Sequence, residues 1–248
     1  MKRGTETVRI AMWSGPRNVS TALMRAWENR PDAVVTDEPF YGYYLRRTRA
    51  DHPGRDEIIR AMSTDWREIV EQITGPPPDE RPVWYQKHMT HHILPEVGHA
   101  WLGRLHNCFL IRDPRDVVAS YERVREAATP EDLGYPQQAG IFDAVMRERG
   151  DPPPVLDSAD VLADPEKVLK ALCTALRLPF REEMLSWPIG PRSTDGVWAK
   201  HWYANVEAST GFALPKASRP KLSDAQAELA ETCRPFYETL RQYRIGAD

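Results

Sequence analysis

Two segments far apart in this chain follow an apolar run with a tight turn, an arginine and hydroxyl residues. The first is Trp13-Ser14-Gly15-Pro16-Arg17-Asn18-Val19-Ser20-Thr21, after the run Val8 to Met12. The second is Arg112-Asp113-Pro114-Arg115-Asp116-Val117-Val118-Ala119-Ser120, after Cys108 to Ile111. Each reads as a strand, a turn and a helix start, where unbonded backbone N–H groups and the positive end of the helix dipole converge on an anion. Two such grips on neighbouring strands suit a ligand with two separated phosphates. In the first, Ser14 and Gly15 allow close approach, Arg17 is the cation, and Ser20 and Thr21 supply hydroxyls. A Walker loop counted from Gly15 wants Gly-Lys where Ser20-Thr21 stand, which disfavours an ATP or GTP hydrolase. The plainer alternatives are a capped helix at the first segment and Arg-Asp pairs solvating a helix start at the second.

The run from Ser14 to Thr21 resembles the 5′-phosphosulfate loop of sulfotransferases that use 3′-phosphoadenosine-5′-phosphosulfate (PAPS). In that family a Lys or Arg, two small residues and two hydroxyl residues open the helix. Arg17, Asn18, Val19, Ser20 and Thr21 take those places, with Val19 where Gly is usual. The family's 3′-phosphate is held by an Arg at a strand end and a Ser eight residues later, the spacing of Arg112 and Ser120. Pro114 suits the first helical position. Two further echoes lie downstream. Ala159 to Glu166 is similar to the family's Glu-Asp-Leu…Pro-Glu segment, with Ser158 where a Tyr often meets adenine. Asp195 to Trp202 is similar to its late Gly-Asp-Trp-Lys cofactor loop, where Lys200 is the candidate phosphate contact, or else a solvated loop lysine.

The resemblance implies a sulfotransferase that moves a sulfuryl group from PAPS to a hydroxyl or amine of a small molecule, leaving PAP (the 3′,5′-bisphosphate) and needing no metal. The donor site would be Gly15, Pro16, Arg17, Asn18, Val19, Ser20, Thr21, Arg112, Ser120 and Lys200. The acceptor's proton must be removed as the new bond forms. Two candidates end predicted strands, Glu38 in Thr36-Asp37-Glu38-Pro39 and His88 in Gln86-Lys87-His88. The family uses either a His near a Lys or a Glu elsewhere in the cleft, so both stay open, with His91, His92 and Asp37 behind them. Lys87 and Arg17 would add positive charge near the transferring group. Lys87 and His88 are neighbours on a strand and point to opposite faces, so one of the two meets the substrate. The trio His88, His91 and His92 invites a metal reading, but a strand end without a carboxylate pattern disfavours it. Phe40-Tyr41-Gly42-Tyr43-Tyr44 either lines an apolar acceptor pocket or packs a helix on the sheet.

These residues need a scaffold. Strand-like runs at Val8–Trp13, Ala33–Thr36, Val83–Gln86, Cys108–Ile111 and Val155–Asp157 alternate with helical patterns at Ser20–Asn29, Arg55–Ile73, Pro114–Arg125, Pro130–Arg149 and Pro165–Leu176. The alternation predicts an α/β, P-loop-like fold: a mostly parallel sheet with helices on both faces, binding ligands at the carboxyl ends of its strands. Pro76-Pro77-Pro78 and Pro152-Pro153-Pro154 read as stiff connections. Residues 187–220 read as a long loop folding over the cofactor site, and Ser223 as the N-cap of a final helix to Arg241.

At 248 residues, 1–248 is expected to be a single sulfotransferase-like domain. A net charge of −3 argues against nucleic-acid and membrane-surface partners. Arg outnumbers Lys, which fits phosphate recognition, though a GC-rich coding sequence gives the same bias. Cys108, Cys173 and Cys233 are scattered and odd in number, implying thiols in a reducing cytoplasm. No apolar stretch approaches the ~20 residues that span a bilayer. The competing functions are a P-loop kinase using ATP-Mg and a non-catalytic nucleotide-binding module of the same fold.

Overall fold

The computed structural model describes residues 7–121, 128–213 and 220–246. Five strands, β1 (Val8–Ser14), β2 (Ala33–Asp37), β3 (Val83–Met89), β4 (His106–Ile111) and β5 (Val155–Asp157), form one sheet in the order β2-β3-β1-β4-β5. Every pairing is parallel. The helices are α1 (Ser20–Glu28), α2 (Tyr41–Thr48), α3 (Arg55–Ala61), α4 (Trp66–Thr74), α5 (Pro114–Tyr121), α6 (Tyr135–Arg149), α7 (Ser158–Ala163), α8 (Pro165–Ala175), α9 (Ala199–Trp202), α10 (Ala204–Glu207) and α11 (Asp224–Arg241). No helix among the described residues is long and apolar enough to cross a membrane.

Side-chain alternation on the central strand divides the core. Ile10 and Met12 pack with Leu23, Met24 and Trp27 of α1 and with α8, whereas Ala11 and Trp13 pack with Val117 and Val118 of α5 and with α6 and α11. Both faces are therefore covered, which is why these strands read as near-continuous apolar runs.

Two predicted helices differ in detail. The pattern Arg55–Ile73 is two helices, because Met62 is extended and Asp65 starts α4 by accepting from the Arg67 amide. The helix expected from Pro130 begins at Tyr135, after Gly134 takes a left-handed conformation. The expected extension of α5 to Arg125 falls on residues 122–127, outside the described residues. Residues 187–213 hold α9 and α10 and a bridge between Ser186 and Gly211, while 214–219 also lie outside. Ser223 caps α11 in a reciprocal capping box with Gln226.

Candidate functional site

The two grips meet across adjacent strands. Ser14 of β1 pairs in register with Leu110 of β4, and from these strand ends α1 leaves on one face of the sheet and α5 on the other. A crevice opens where the chain's helices switch sides in this way, at the carboxyl edge of a parallel sheet. Arg17 Nε donates to Ser120 Oγ at 3.0 Å, joining the first grip to the second, and Arg112 Nη1 donates back to the Arg17 carbonyl at 2.6 Å. Asn18 Nδ2 donates to the Leu110 carbonyl at 3.0 Å, and its Oδ1 accepts from the Val19 amide and the Ser158 hydroxyl. Among the described residues no side chain caps α1, and its first turn holds no acidic residue. The helix N-terminus behind Ser20 and Thr21 thus keeps donors for an anion.

Gly15 has a steric reason. A Cβ built there would stand 2.6 Å from the Leu133 carbonyl oxygen, a backbone atom with little freedom to retreat. The segment before α6 thereby closes against the loop, and Tyr135 adds a 2.8 Å hydrogen bond from its hydroxyl to the Arg112 carbonyl. Gln138 Nε2 ties Trp13 and Leu110 together by donating to both carbonyls. Pro16, Asn18 and Arg112 line the resulting recess with Gly15.

Backbone conformation singles out two site residues. Among the described residues, four that are not glycine have positive φ: Arg17, Glu38, Arg49 and Arg177. Arg49 caps the C-terminus of α2 and Arg177 lies just past that of α8, where left-handed residues end helices. Arg17 and Glu38 instead hold this conformation at the ends of β1 and β2, a strain kept where the surroundings dictate it.

The proton-handling candidates separate as strand alternation requires. Lys87 lies beside Met12 and His88 beside Trp13, on opposite faces. His88 is 1% exposed, stacks on Trp13 at 4.4 Å between centroids and has Nε2 3.1 Å from Gln86 Oε1. Burial pushes its pKa down to about 3. It is an enclosed neutral ring and meets no open cleft. Lys87 also differs from expectation: it does not offer a charge at the grips but sits in a buried network. Its Nζ donates to Glu38 Oε1 at 2.5 Å, to Asp37 Oδ1 at 3.0 Å and to the Tyr203 hydroxyl at 2.6 Å. Burial pulls this ammonium toward neutrality, but the Asp37 and Glu38 carboxylates outweigh it and hold its pKa well above the ordinary lysine value. Burial pushes the Glu38 carboxyl upward; Lys87 opposes this and the Asp37 charge adds to it.

His91 and His92 occupy a short turn after β3 and pack against Tyr44, with His92 also stacked on Tyr41 at 4.6 Å. Among the described residues no group of three His, Cys, Asp or Glu side chains is arranged to hold a metal ion. The aromatic run of α2 is buried in both core layers, Phe40 and Tyr43 on one side, Tyr41 and Tyr44 on the other. It packs the helix rather than lining an open pocket. Lys200 is likewise engaged elsewhere, in a 2.6 Å pair with Glu57 of α3, half exposed to solvent.

The late segment docks on α1, α3 and the ends of β2 and β3. Asp195 pairs with the buried Arg25 at 2.6 Å, Thr194 donates to Glu28, and Trp198 and Tyr203 join the core. Tyr203 and Asp37 are the members of the Lys87 network that sequence reading passed over or ranked low. Tyr203 stands 116 positions from Lys87 in a stretch without periodicity, so no local signal marks it.

A family model described as "Sulfotransferase domain" matches residues 8–244. Two Arabidopsis thaliana proteins, branched-chain-amino-acid aminotransferase-like proteins 2 and 1, are 33% and 34% identical over 94% of this chain. The chain spans 41% and 42% of their lengths. The fold is similar to that of a sulfotransferase from Alicyclobacillus acidocaldarius, with a TM-score of 0.55 and 13% identity, covering 95% of this chain and 94% of that one. It is also similar to the sulfotransferase domain from the curacin biosynthetic pathway, with a TM-score of 0.51 and 17% identity, covering 92% and 98%. The two structural likenesses speak for the α/β fold, and the family match over nearly the whole chain speaks for descent: this chain belongs to the sulfotransferase domain family.

Proposed function

We propose that the chain transfers a sulfuryl group from PAPS to a hydroxyl or amine of a small molecule. The single observation that carries this reading is the pair of contacts between the grips, Arg17 to Ser120 and Arg112 to the Arg17 carbonyl. They join the two strand–helix corners, which supports one bisphosphorylated nucleotide bridging them. The residues present fit its phosphates: an uncapped helix start with Ser20 and Thr21, and two guanidiniums that meet a hydroxyl and a carbonyl. Arg17, Asn18, Ser20 and Thr21 would hold the 5′ end, Arg112 and Ser120 the 3′-phosphate, which separates this donor from ATP. Adenine has no aromatic partner at Ser158, a buried hydroxyl shared between the Asn18 side chain and the Ile111 carbonyl.

Glu38 is our choice for taking the acceptor's proton. In the Lys87 network its side chain is the most accessible, 10% exposed against 2% for Lys87 and 1% for Asp37. Its raised pKa also moves it toward the range where a general base works best. His88, with a pKa near 3 and no access, is poorly suited.

Thermal shift tests the donor. PAP at 100 times its Kd should stabilise the protein by about 2.7 kcal/mol, and ATP-Mg should not. Stabilisation by ATP-Mg alone would favour the kinase. Transfer is then tested with PAPS and a panel of phenols, alcohols and amines. The panel includes branched-chain amino acids and the corresponding hydroxy acids, since the Arabidopsis relatives are named for branched-chain amino acids.

A further inference from the structure

Tyr203 is 4% exposed and lies between the late segment and the ends of β2 and β3. Its hydroxyl donates to Asp37 Oδ2 at 2.7 Å and accepts from Lys87 Nζ at 2.6 Å and from Trp198 Nε1 at 3.2 Å. An ammonium has three N–H donors and no acceptor. Those of Lys87 go to Asp37, Glu38 and Tyr203, one each, so its position is fully determined. Two of these acceptors sit on consecutive residues of one strand end, and the third arrives from a different part of the fold.

Asp37 shows the same division. Its Oδ1 takes Lys87, while its Oδ2 faces the late segment, accepting from Tyr203 and from the Gly196 amide at 3.4 Å. The late segment therefore decides which carboxylate oxygen is left for the ammonium. Removing the hydroxyl would leave one Lys87 N–H unsatisfied in a buried site, and it would free Asp37 to compete with Glu38 for the cation.

We propose that Tyr203 is a positioning residue, through which docking of the late segment fixes Lys87 between Asp37 and Glu38 and so orients the Glu38 carboxylate. This rests on the reading of Glu38 as the group that takes the acceptor's proton. Tyr203 touches neither donor nor acceptor; it acts on Glu38 through Lys87 and through its own hydroxyl, which favours the ionised carboxylate.

The test follows the Glu38 carboxyl by NMR in the full chain labelled with ¹³C at glutamate side chains, with its resonance assigned by loss in Glu38→Gln. In Tyr203→Phe the Glu38 titration midpoint should rise by roughly one to two pH units, the scale of one lost hydrogen bond to a charged group. A midpoint equal to wild type in the folded variant would overturn the proposal, since a role in packing alone leaves it unmoved. Should the variant not fold, the wild-type chain still decides: the Lys87 ammonium should give a slowly exchanging ¹⁵N signal, and exchange as fast as in surface lysines would overturn it. PAP binding is titrated separately. Failure of PAP to bind wild type is the failure of the donor reading, whereas an unmoved Glu38 midpoint with PAP bound normally is the failure of the Tyr203 proposal.

Discussion

Replacing Lys87 by Met keeps an unbranched chain of similar volume and removes one buried charge. Asp37 and Glu38 are then left with their negative charges beside each other and no cation within the network. Breaking a buried pair by deleting one partner costs about 3–5 kcal/mol, because the surviving charge is left uncompensated. Here two carboxylates survive, while the Tyr203 hydroxyl still donates to one of them. We therefore expect a loss of about 3–5 kcal/mol at pH 8 by urea unfolding.

The pH dependence separates this cause from a packing defect. Glu38 already binds its proton more tightly in the folded chain than an exposed glutamate does, chiefly through burial, and loss of Lys87 strengthens that preference. A carboxyl whose folded pKa exceeds its unfolded value stabilises the fold when protonated. That stability is complete below the unfolded pKa and is lost as the pH rises through the folded one. The Lys87→Met variant should thus recover toward wild type as the pH falls from 8 to 5.5, by up to about 1.4 kcal/mol for each pH unit between the two pKa values. Adding Glu38→Gln should return at least about 1 kcal/mol at pH 8, as coupled neighbours do. A deficit under 1 kcal/mol, or one equal at pH 5.5 and pH 8, would refute the reasoning and make Lys87 a packing residue.

Three other outcomes follow from the geometry. Arg112→Ala should weaken PAP binding by about 1.5–3 kcal/mol in calorimetry, the scale of a hydrogen bond to a charged group; unchanged affinity would remove Arg112 from the site. Gly15→Ala places a methyl 2.6 Å from the Leu133 carbonyl oxygen and should destabilise by about 1–3 kcal/mol while weakening PAP binding; wild-type melting and affinity would show that the loop yields freely. His88 is held neutral down to about pH 3, so it should account for about 2 kcal/mol of the stability wild type loses between pH 7.5 and 5, as unfolded histidine gains a proton that the buried ring refuses. His88→Gln should lack that component, and parallel acid slopes in the two proteins would contradict the burial argument.

Much of the scaffold was legible because buried parallel strands and amphipathic helices leave local traces. The runs at Val8, Ala33, Val83, Cys108 and Val155 each became a strand, since strands packed between helices carry mostly apolar residues. The grips were legible for a similar reason, as strand, turn and helix start lie within one short stretch. The break after Ala61 had a signal too, in Asp65 three residues before Glu68, but the apolar period ran across it and masked the cap. What alternation could not reveal was the company that Lys87 keeps. It placed Lys87 and His88 on opposite faces correctly, yet the residues that neutralise Lys87 include one delivered by a segment without periodicity. The same holds for Lys200, whose partner Glu57 belongs to a helix far away in sequence. A charge's local motif says that it is there; only the fold says what it meets.

That distinction explains how one sheet edge can divide two tasks. At the β1–β4 end Arg17 meets a hydroxyl and Arg112 a carbonyl. At the β2–β3 end the cation meets two carboxylates and a phenol, so its field is contained locally. There the carboxylates pair with Lys87, and its positive field is spent on them. Were Lys87 uncompensated, it would favour the ionised form of Glu38 and depress its basicity. Because Asp37 shares the cation, burial prevails and the Glu38 carboxyl binds its proton more tightly than a solvated glutamate would. Anion capture and proton acceptance can then coexist on adjoining strands, each tuned by the partners its own cation meets.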